Sequence, residues 1–280
     1  MRNKTGRLPR RRRRPHLPAL SDPAPSDRDW IFDALRGERP DVLSSDVTVA
    51  LPDPGRPESE ARLVTTGRQA AASALALDAC QYETRVPVLR CEAGNTVFLE
   101  FLENTRGGIP QSAAVAVATR ARSVASVVAF RHDFVPVSKA RRPGAEVPVA
   151  AAESVVRRYL DHLEAGRAAA AVDCFEEDGI YSFPPRTPAG PRGTVQGREA
   201  IRSVFEARGV NDARHRIATV AGSTAIADFA VWGRVTGLPA GKSATFLSCV
   251  VIGDRGLIQR YVAQMCIPEA GHDVDQGGTP

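Results

Sequence analysis

The strongest alternation of apolar and polar positions lies in residues 151–268. In "AAESVVRRYLDHLEAG", Val155, Val156, Tyr159, Leu160 and Leu163 recur at helical spacing and predict one buried face, with Gly166 ending the helix. A second short helix is expected from Ala168 to Phe175. Asp178-Gly179 should break it, and "IYSF" reads as a strand closed by Pro184-Pro185. "GREAIRSVFEARG" predicts a further amphipathic helix bracketed by glycines. Four β-like runs follow: "RHRIATVA", "TAIADFAVWGRV", "ATFLSCVVIG" and "GLIQRYVAQMCI". Gly222-Ser223 and Asp254-Arg255-Gly256 are expected to supply hairpin turns. Helix, helix, strand, helix and then an antiparallel meander predict an α+β architecture, with helices on one face of a curved sheet.

Residues 27–137 repeat this plan in shortened form. "DRDWIFDALRGERPDVLSSDVTVALP" corresponds to the helices and first strand, with Asp46 in the place of Asp178 and Pro52 in that of Pro184. "GRQAAASAL" corresponds to "GREAIRSVF", "AGNTVFLEF" to "AGSTAIADF", "GIPQSAAVAV" to "GLPAGKSATF", and "SVVAFRHDFVPV" to "GLIQRYVAQMCIP". The offset stays near 130 residues, read from the positions of these segments. That is well outside the roughly 20–50-residue periods of solenoids. The expectation is a duplicated domain: 27–137 and 151–268, joined by a Pro/Gly-containing linker at 138–150 and followed by a polar tail at 269–280.

Composition changes this picture little. The chain has 280 residues, 43% hydrophobic and 25% charged, which suffices for ordinary cores. The net charge of +5 is concentrated in "RLPRRRRRP" within residues 1–26, read as a disordered Arg/Pro-rich arm. Its arginines are followed by prolines and not by the apolar segment of a secretory leader. No stretch is long and apolar enough to span a bilayer, so no membrane association and a cytoplasmic location are expected. The five cysteines (Cys80, Cys91, Cys174, Cys249, Cys266) form no zinc spacing and read as small buried hydrophobes, with no metal expected. Neither globular block has a basic strip interleaved with aromatics, which disfavours specific nucleic-acid binding. No dinucleotide, Walker, GxSxG or HExxH motif stands in a suitable setting, and no cofactor is expected.

The series "EDGIYSFP", "GREAI", "RHRI", "AGSTAIADF" and "SCVVIGDRGLIQRYVA" resembles the nuclear-transport-factor-2-like superfamily, and within it the SnoaL-like polyketide cyclase branch. The resemblance implies two tandem cone-shaped (cystatin-like) domains, each with helices packed on a strongly curved antiparallel sheet. It also implies a pocket at each cone's open end. Such domains often dimerise through the outer sheet face, so a tandem copy implies an intramolecular pseudo-dimer, with a further homodimer open. Members include cyclases, ketosteroid isomerases, epoxide hydrolases and plain binding proteins, so the fold leaves function open.

The resemblance places candidate chemistry at particular residues. Epoxide hydrolases of this fold carry Tyr-x-Asn, Arg-x-Asp and a final Asp. Here Tyr181 stands with Phe183 in place of Asn, Val231 and Gly233 in place of Arg and Asp, and Ala263 near the final Asp, so epoxide opening is disfavoured. A cyclase or isomerase needs an acid or base beside a carbonyl and a donor for the oxyanion. His215 at the start of an inward strand suits the first role, and Tyr181 and Tyr261 the second. Tyr159, Phe183, Phe229 and Val231 are expected to line the pocket. In the first repeat, Val49 replaces the tyrosine, and Glu103, Arg85 and His132 are the candidate polar groups, with Glu103 and His132 as a possible carboxylate–imidazole pair. Trp232, Asp228 and Glu100 have the parity of the outer, interface-facing surface. The expected activity is cofactor-independent acid–base cyclisation or isomerisation of a hydrophobic, polyketide-like substrate in natural-product (antibiotic) biosynthesis. The competing class is a non-catalytic small-molecule-binding or scaffold protein.

Overall fold

The protein is described here by a computed structural model covering residues 30–52, 62–108, 110–133, 135, 146–183, 193–210, 212–223, 228–238 and 241–266, with backbone alone at 62, 132, 133, 223 and 266. The arginine-rich segment, Pro184-Pro185, most of the linker and the polar tail lie outside these residues.

The first domain begins with a short helix, α1 (Trp30–Leu35), and a 3-10 turn at Pro40–Val42. Then come β1 (Leu43–Pro52), β2 (Arg62–Thr66), α2 (Arg68–Ala79), β3 (Tyr82–Ala93), β4 (Thr96–Thr105), β5 (Pro110–Arg120) and β6 (Ser123–Asp133). The second domain repeats the order with a longer opening helix: α3 (Val149–Glu164), α4 (Ala168–Val172), β7 (Phe175–Phe183), β8 (Gly193–Gln196), α5 (Arg198–Arg208), β9 (Arg214–Ser223), β10 (Asp228–Thr236), β11 (Ala244–Ile252) and β12 (Ile258–Cys266). The two six-stranded sheets have the same order, β2-β1-β6-β5-β4-β3 and β8-β7-β12-β11-β10-β9. Pairing is antiparallel except for β1 with β6 and β7 with β12, which run parallel. This is the tandem cone-shaped α+β fold expected from the sequence.

The duplication extends to backbone detail. Gly67 and Gly197 precede α2 and α5 with φ of +94° and +87°, values that glycine adopts without steric cost. The following arginines, Arg68 and Arg198, reach back to the carbonyls of Leu43 and Phe175, at the starts of β1 and β7. Each arginine thereby ties a helix to the first strand of its own sheet. The sequence marked these residues as a repeat without revealing this role.

Local expectations shift in three places. The helix expected to reach Phe175 ends at Val172, because Phe175 is buried as the first residue of β7. Asp178-Gly179 consequently lies inside that strand. The register there jumps from Phe175↔Ile258 to Ile180↔Arg260, so the intervening residues bulge and the buried Glu176 carboxylate meets Arg255. Gly222-Ser223 belongs to β9, and the link to β10 lies outside the described residues. The sequence reading also passed over β2 and β8, strands of five and four residues at the sheet edges.

Each sheet buries both faces. The inner faces pack on the helices, through Ile31, Leu75, Val97 and Phe101 in the first domain and Val156, Tyr159, Phe205 and Phe229 in the second. The outer faces pack on each other through Phe98, Phe130, Ala230, Leu247 and Val262, with Trp232 against Phe98 and Phe130 at ring-centroid distances of 6.0 and 6.2 Å. Within this seam, the Arg260 guanidinium forks onto the Glu100 carboxylate at 2.9 and 2.5 Å, both side chains almost wholly buried. The outer-face parity read for Trp232, Asp228 and Glu100 is the one observed.

Candidate active site

The interior of the second cone is built from its three helices and the inner face of its sheet. Alternation along β7 turns Tyr181 and Phe183 inward, and the parallel register sets Tyr181 directly beside Tyr261 of β12. From α3, Tyr159 packs on this pair, with ring centroids 5.0 Å from Tyr261 and 6.4 Å from Tyr181. Phe183 stacks on Tyr181 at 5.7 Å, and Phe175 and Phe205 close the cluster at 5.2 and 5.7 Å from Tyr159. Phe229 and Val231 lie in the same core with no exposure. Edge-on contacts dominate, the arrangement that aromatic quadrupoles favour.

The phenols are not isolated. Tyr159 and Tyr181 share a side-chain hydrogen bond, and Tyr261 bonds Ser248 of β11. Burial, followed by the neighbouring tyrosines, pushes the Tyr159 phenol well above its ordinary range, only partly countered by Arg208. Burial likewise raises Tyr261, against the pull of its bond to Ser248. Both phenols therefore stay neutral near pH 7 and keep a proton to donate.

His215 occupies another level of the cone. Its Nδ1 lies 2.8 Å from Oε1 of Glu164, the last residue of α3, and the same oxygen accepts the His215 backbone N–H at 2.5 Å. The ring also makes a T-shaped contact with Phe246, centroids 5.5 Å apart. Burial pushes the Glu164 carboxyl up, but its bonds to the His215 ring and backbone more than offset this and hold it below the usual glutamate value. Both side chains are largely enclosed, with 11% of His215 and 15% of Glu164 exposed. Among the described residues, nothing bonds Nε2.

The structure thus brings Tyr159, Tyr181, Phe183 and Tyr261 together and sets His215 apart from them. His215 pairs with Val235, which pairs with Ala244, whereas Tyr261 pairs with Val250. Ala244 and Val250 are well separated along β11, by about 20 Å at ~3.3 Å per residue. On α3, Glu164 lies one and a half turns beyond Tyr159, about 7.5 Å along the axis.

The first cone is closed by charge. Glu103, with no side-chain exposure, accepts Arg85 Nε at 2.5 Å and Arg131 Nε at 3.2 Å. Asp78, from the end of α2, accepts Arg131 at 2.7 Å and Arg85 at 3.3 Å. Both guanidiniums also lie over the Tyr82 ring, at 5.4 and 4.7 Å. Burial alone would favour loss of the Arg131 charge, but Asp78 and then Glu103 outweigh it and raise its pKa. The carboxylate of Glu103 is therefore engaged by arginine. The backbone register aligns His132 with Ser112 and Arg131 with Ala113, and the His132 side chain lies outside the described residues.

The sequence reading did not single out Glu164, Asp78, Arg131, Ser248 or Arg208. Each reads as an ordinary polar position, and only contacts across the fold give it a partner. Among the described residues, no cluster of three or more His, Cys, Asp or Glu could hold a metal ion, and no helix is long and apolar enough to cross a membrane.

Residues 156–261 match the family model of the SnoaL-like domain. Among solved structures, the chain is similar to a protein of unknown function with a cystatin-like fold from Methylobium petroleophilum, at 21% identity over 46% of this chain and 84% of that one, with a TM-score of 0.37. It is also similar to a nuclear-transport-factor-2-like protein of unknown function from Burkholderia xenovorans, at 14% identity over 44% and 88% of the two chains, with a TM-score of 0.36. No curated protein matches the chain.

Proposed function

We propose that this chain, which carries a SnoaL-like domain at residues 156–261 and the same fold again on its N-terminal side, is a cofactor-independent acid–base enzyme. Its reaction is the cyclisation or isomerisation of a hydrophobic, carbonyl-bearing, polyketide-like molecule in the second cone. The observation that carries this reading is His215: an enclosed imidazole, bonded through Nδ1 alone, on the inner side of a SnoaL-like sheet. In this reading His215 Nε2 takes a proton from carbon next to a carbonyl. The tyrosine cluster, whose Tyr159 and Tyr261 phenols burial keeps neutral, lies too far along the sheet to meet the enolate oxygen at that carbonyl and instead holds a distal polar group of the substrate. The substrate spans the levels of the imidazole and the tyrosines.

The direct test is proton exchange. Wild-type protein is incubated in deuterated buffer with a panel of aromatic and aliphatic 1,3-diketones, and deuterium incorporation is followed by NMR. The reading expects exchange, lost by about 10²-fold or more in His215→Ala. Tyr181→Phe should weaken ligand binding and leave exchange in the bound complex near the wild-type rate. Exchange at the wild-type rate in His215→Ala would discard the assignment.

A second reading is favoured by one specific observation. Tyr159 and Tyr261 are 1% and 2% exposed and pack directly on each other, so the middle of the cone is already filled. That suits a binding or scaffold protein, which would show ligand-induced thermal shifts without exchange.

A further inference from the structure

We propose that Glu164 is the positioning residue that fixes the His215 tautomer, presenting the Nε2 lone pair to the interior of the cone. This inference rests on the reading of His215 as the base. A single oxygen of Glu164 holds both ends of the histidine, accepting the backbone N–H at 2.5 Å and facing ring Nδ1 at 2.8 Å. An ionised carboxylate can only accept, so the proton at this contact belongs to Nδ1, and in the neutral ring the lone pair is on Nε2. The carboxylate is ionised near neutral pH, since its bonds to His215 keep it below the usual range. Phe246 packs on the ring in a T-shaped contact, with the planes at 74°.

Three features argue for more than an incidental contact. Glu164 and His215 lie 51 residues apart, so the bond joins the end of the long helix to the start of a strand across the sheet. The carboxylate sits in the last turn of α3, at the negative end of the helix dipole, where an anion is disfavoured without a partner. Gly233 also keeps the space behind Phe246 open: a Cβ there would come within 2.8 Å of that ring and 2.1 Å of the Arg216 carbonyl. The position of Phe246 against His215 therefore depends on glycine in β10.

The test reads the imidazole directly. In wild-type protein labelled with 15N-histidine, the His215 ring is expected to show the Nδ1–H tautomer. In Glu164→Gln, the amide can donate to Nδ1, and the population should move toward Nε2–H. With a substrate found by the exchange assay, kcat in Glu164→Gln should fall by about 10²-fold with KM unchanged, and Glu164→Asp should recover most of that loss. A wild-type ring in the Nε2–H form overturns the proposal, whether or not any variant folds. So does a Glu164→Gln protein whose tautomer and kcat stay at wild-type values. The tautomer is read without substrate: an Nδ1–H ring that responds to Glu164→Gln supports the positioning role even if no exchange is detected, an outcome that would count against the enzyme reading alone.

Discussion

The two cones share strand order and helix placement, yet their interiors are filled by different means. In the first, two carboxylates and two guanidiniums from α2, β3, β4 and β6 neutralise one another beneath Tyr82. In the second, aromatic rings from α3, β7, α5 and β12 fill the same side of the sheet, and one carboxylate–imidazole contact stands apart from them. The opening helix differs too, six residues in α1 against sixteen in α3. The longer helix delivers both Tyr159 and Glu164. One fold can therefore be completed by charge or by aromatic packing, and among the described side chains it is the second interior that holds a histidine.

The largest effect is expected where the domains meet. Glu100→Ala would strand the buried Arg260 guanidinium and cost about 3–5 kcal/mol in urea unfolding. Replacing both, with Glu100→Leu and Arg260→Met, should recover most of that loss. A single variant within 0.5 kcal/mol of wild type, as an ordinary surface change would be, would mean that the seam is not desolvated. Next comes the first cone itself. Glu103→Ala removes the carboxylate between Arg85 and Arg131, and a loss of about 3 kcal/mol is expected, because Asp78 still holds both cations. Hydrogen exchange should then accelerate in β3, β4 and β6 before it does in the second domain.

Smaller effects probe the second cone. Tyr159→Phe keeps the ring and deletes its bond to Tyr181, with an expected cost of about 1 kcal/mol by chemical denaturation. A loss several times larger would show that the hydroxyl network, and not ring packing, holds that interior together. The smallest effect is pH-dependent. Glu164 has a folded pKa below its unfolded one, so its stabilisation is present above the unfolded value and fades as pH falls through the folded one. The stability difference between wild type and Glu164→Gln should therefore be present at neutral pH and close toward acid. A gap that widens on acidification would contradict the assigned direction.

Periodicity, turn residues and the 130-residue echo were enough to define the fold, because they reflect local geometry and burial that every copy of the plan must satisfy. Parity on β10 alone separated Phe229 and Val231, facing the helices, from Trp232, facing the other sheet. The strand sequence also named Tyr181 and Tyr261, and the parallel register put them side by side. Partners were another matter. "HLEAGR" gives no sign that Glu164 meets a histidine 51 residues on, and nothing in "FRHDF" shows that Arg131 reaches Glu103. Those pairings depend on how far a helix extends and on which residue a strand places opposite its neighbour. Helix length and register are settled by the closing of the whole sheet around its core, so only the tertiary structure could decide which polar groups neutralise one another in one cone and which carboxylate meets a histidine in the other.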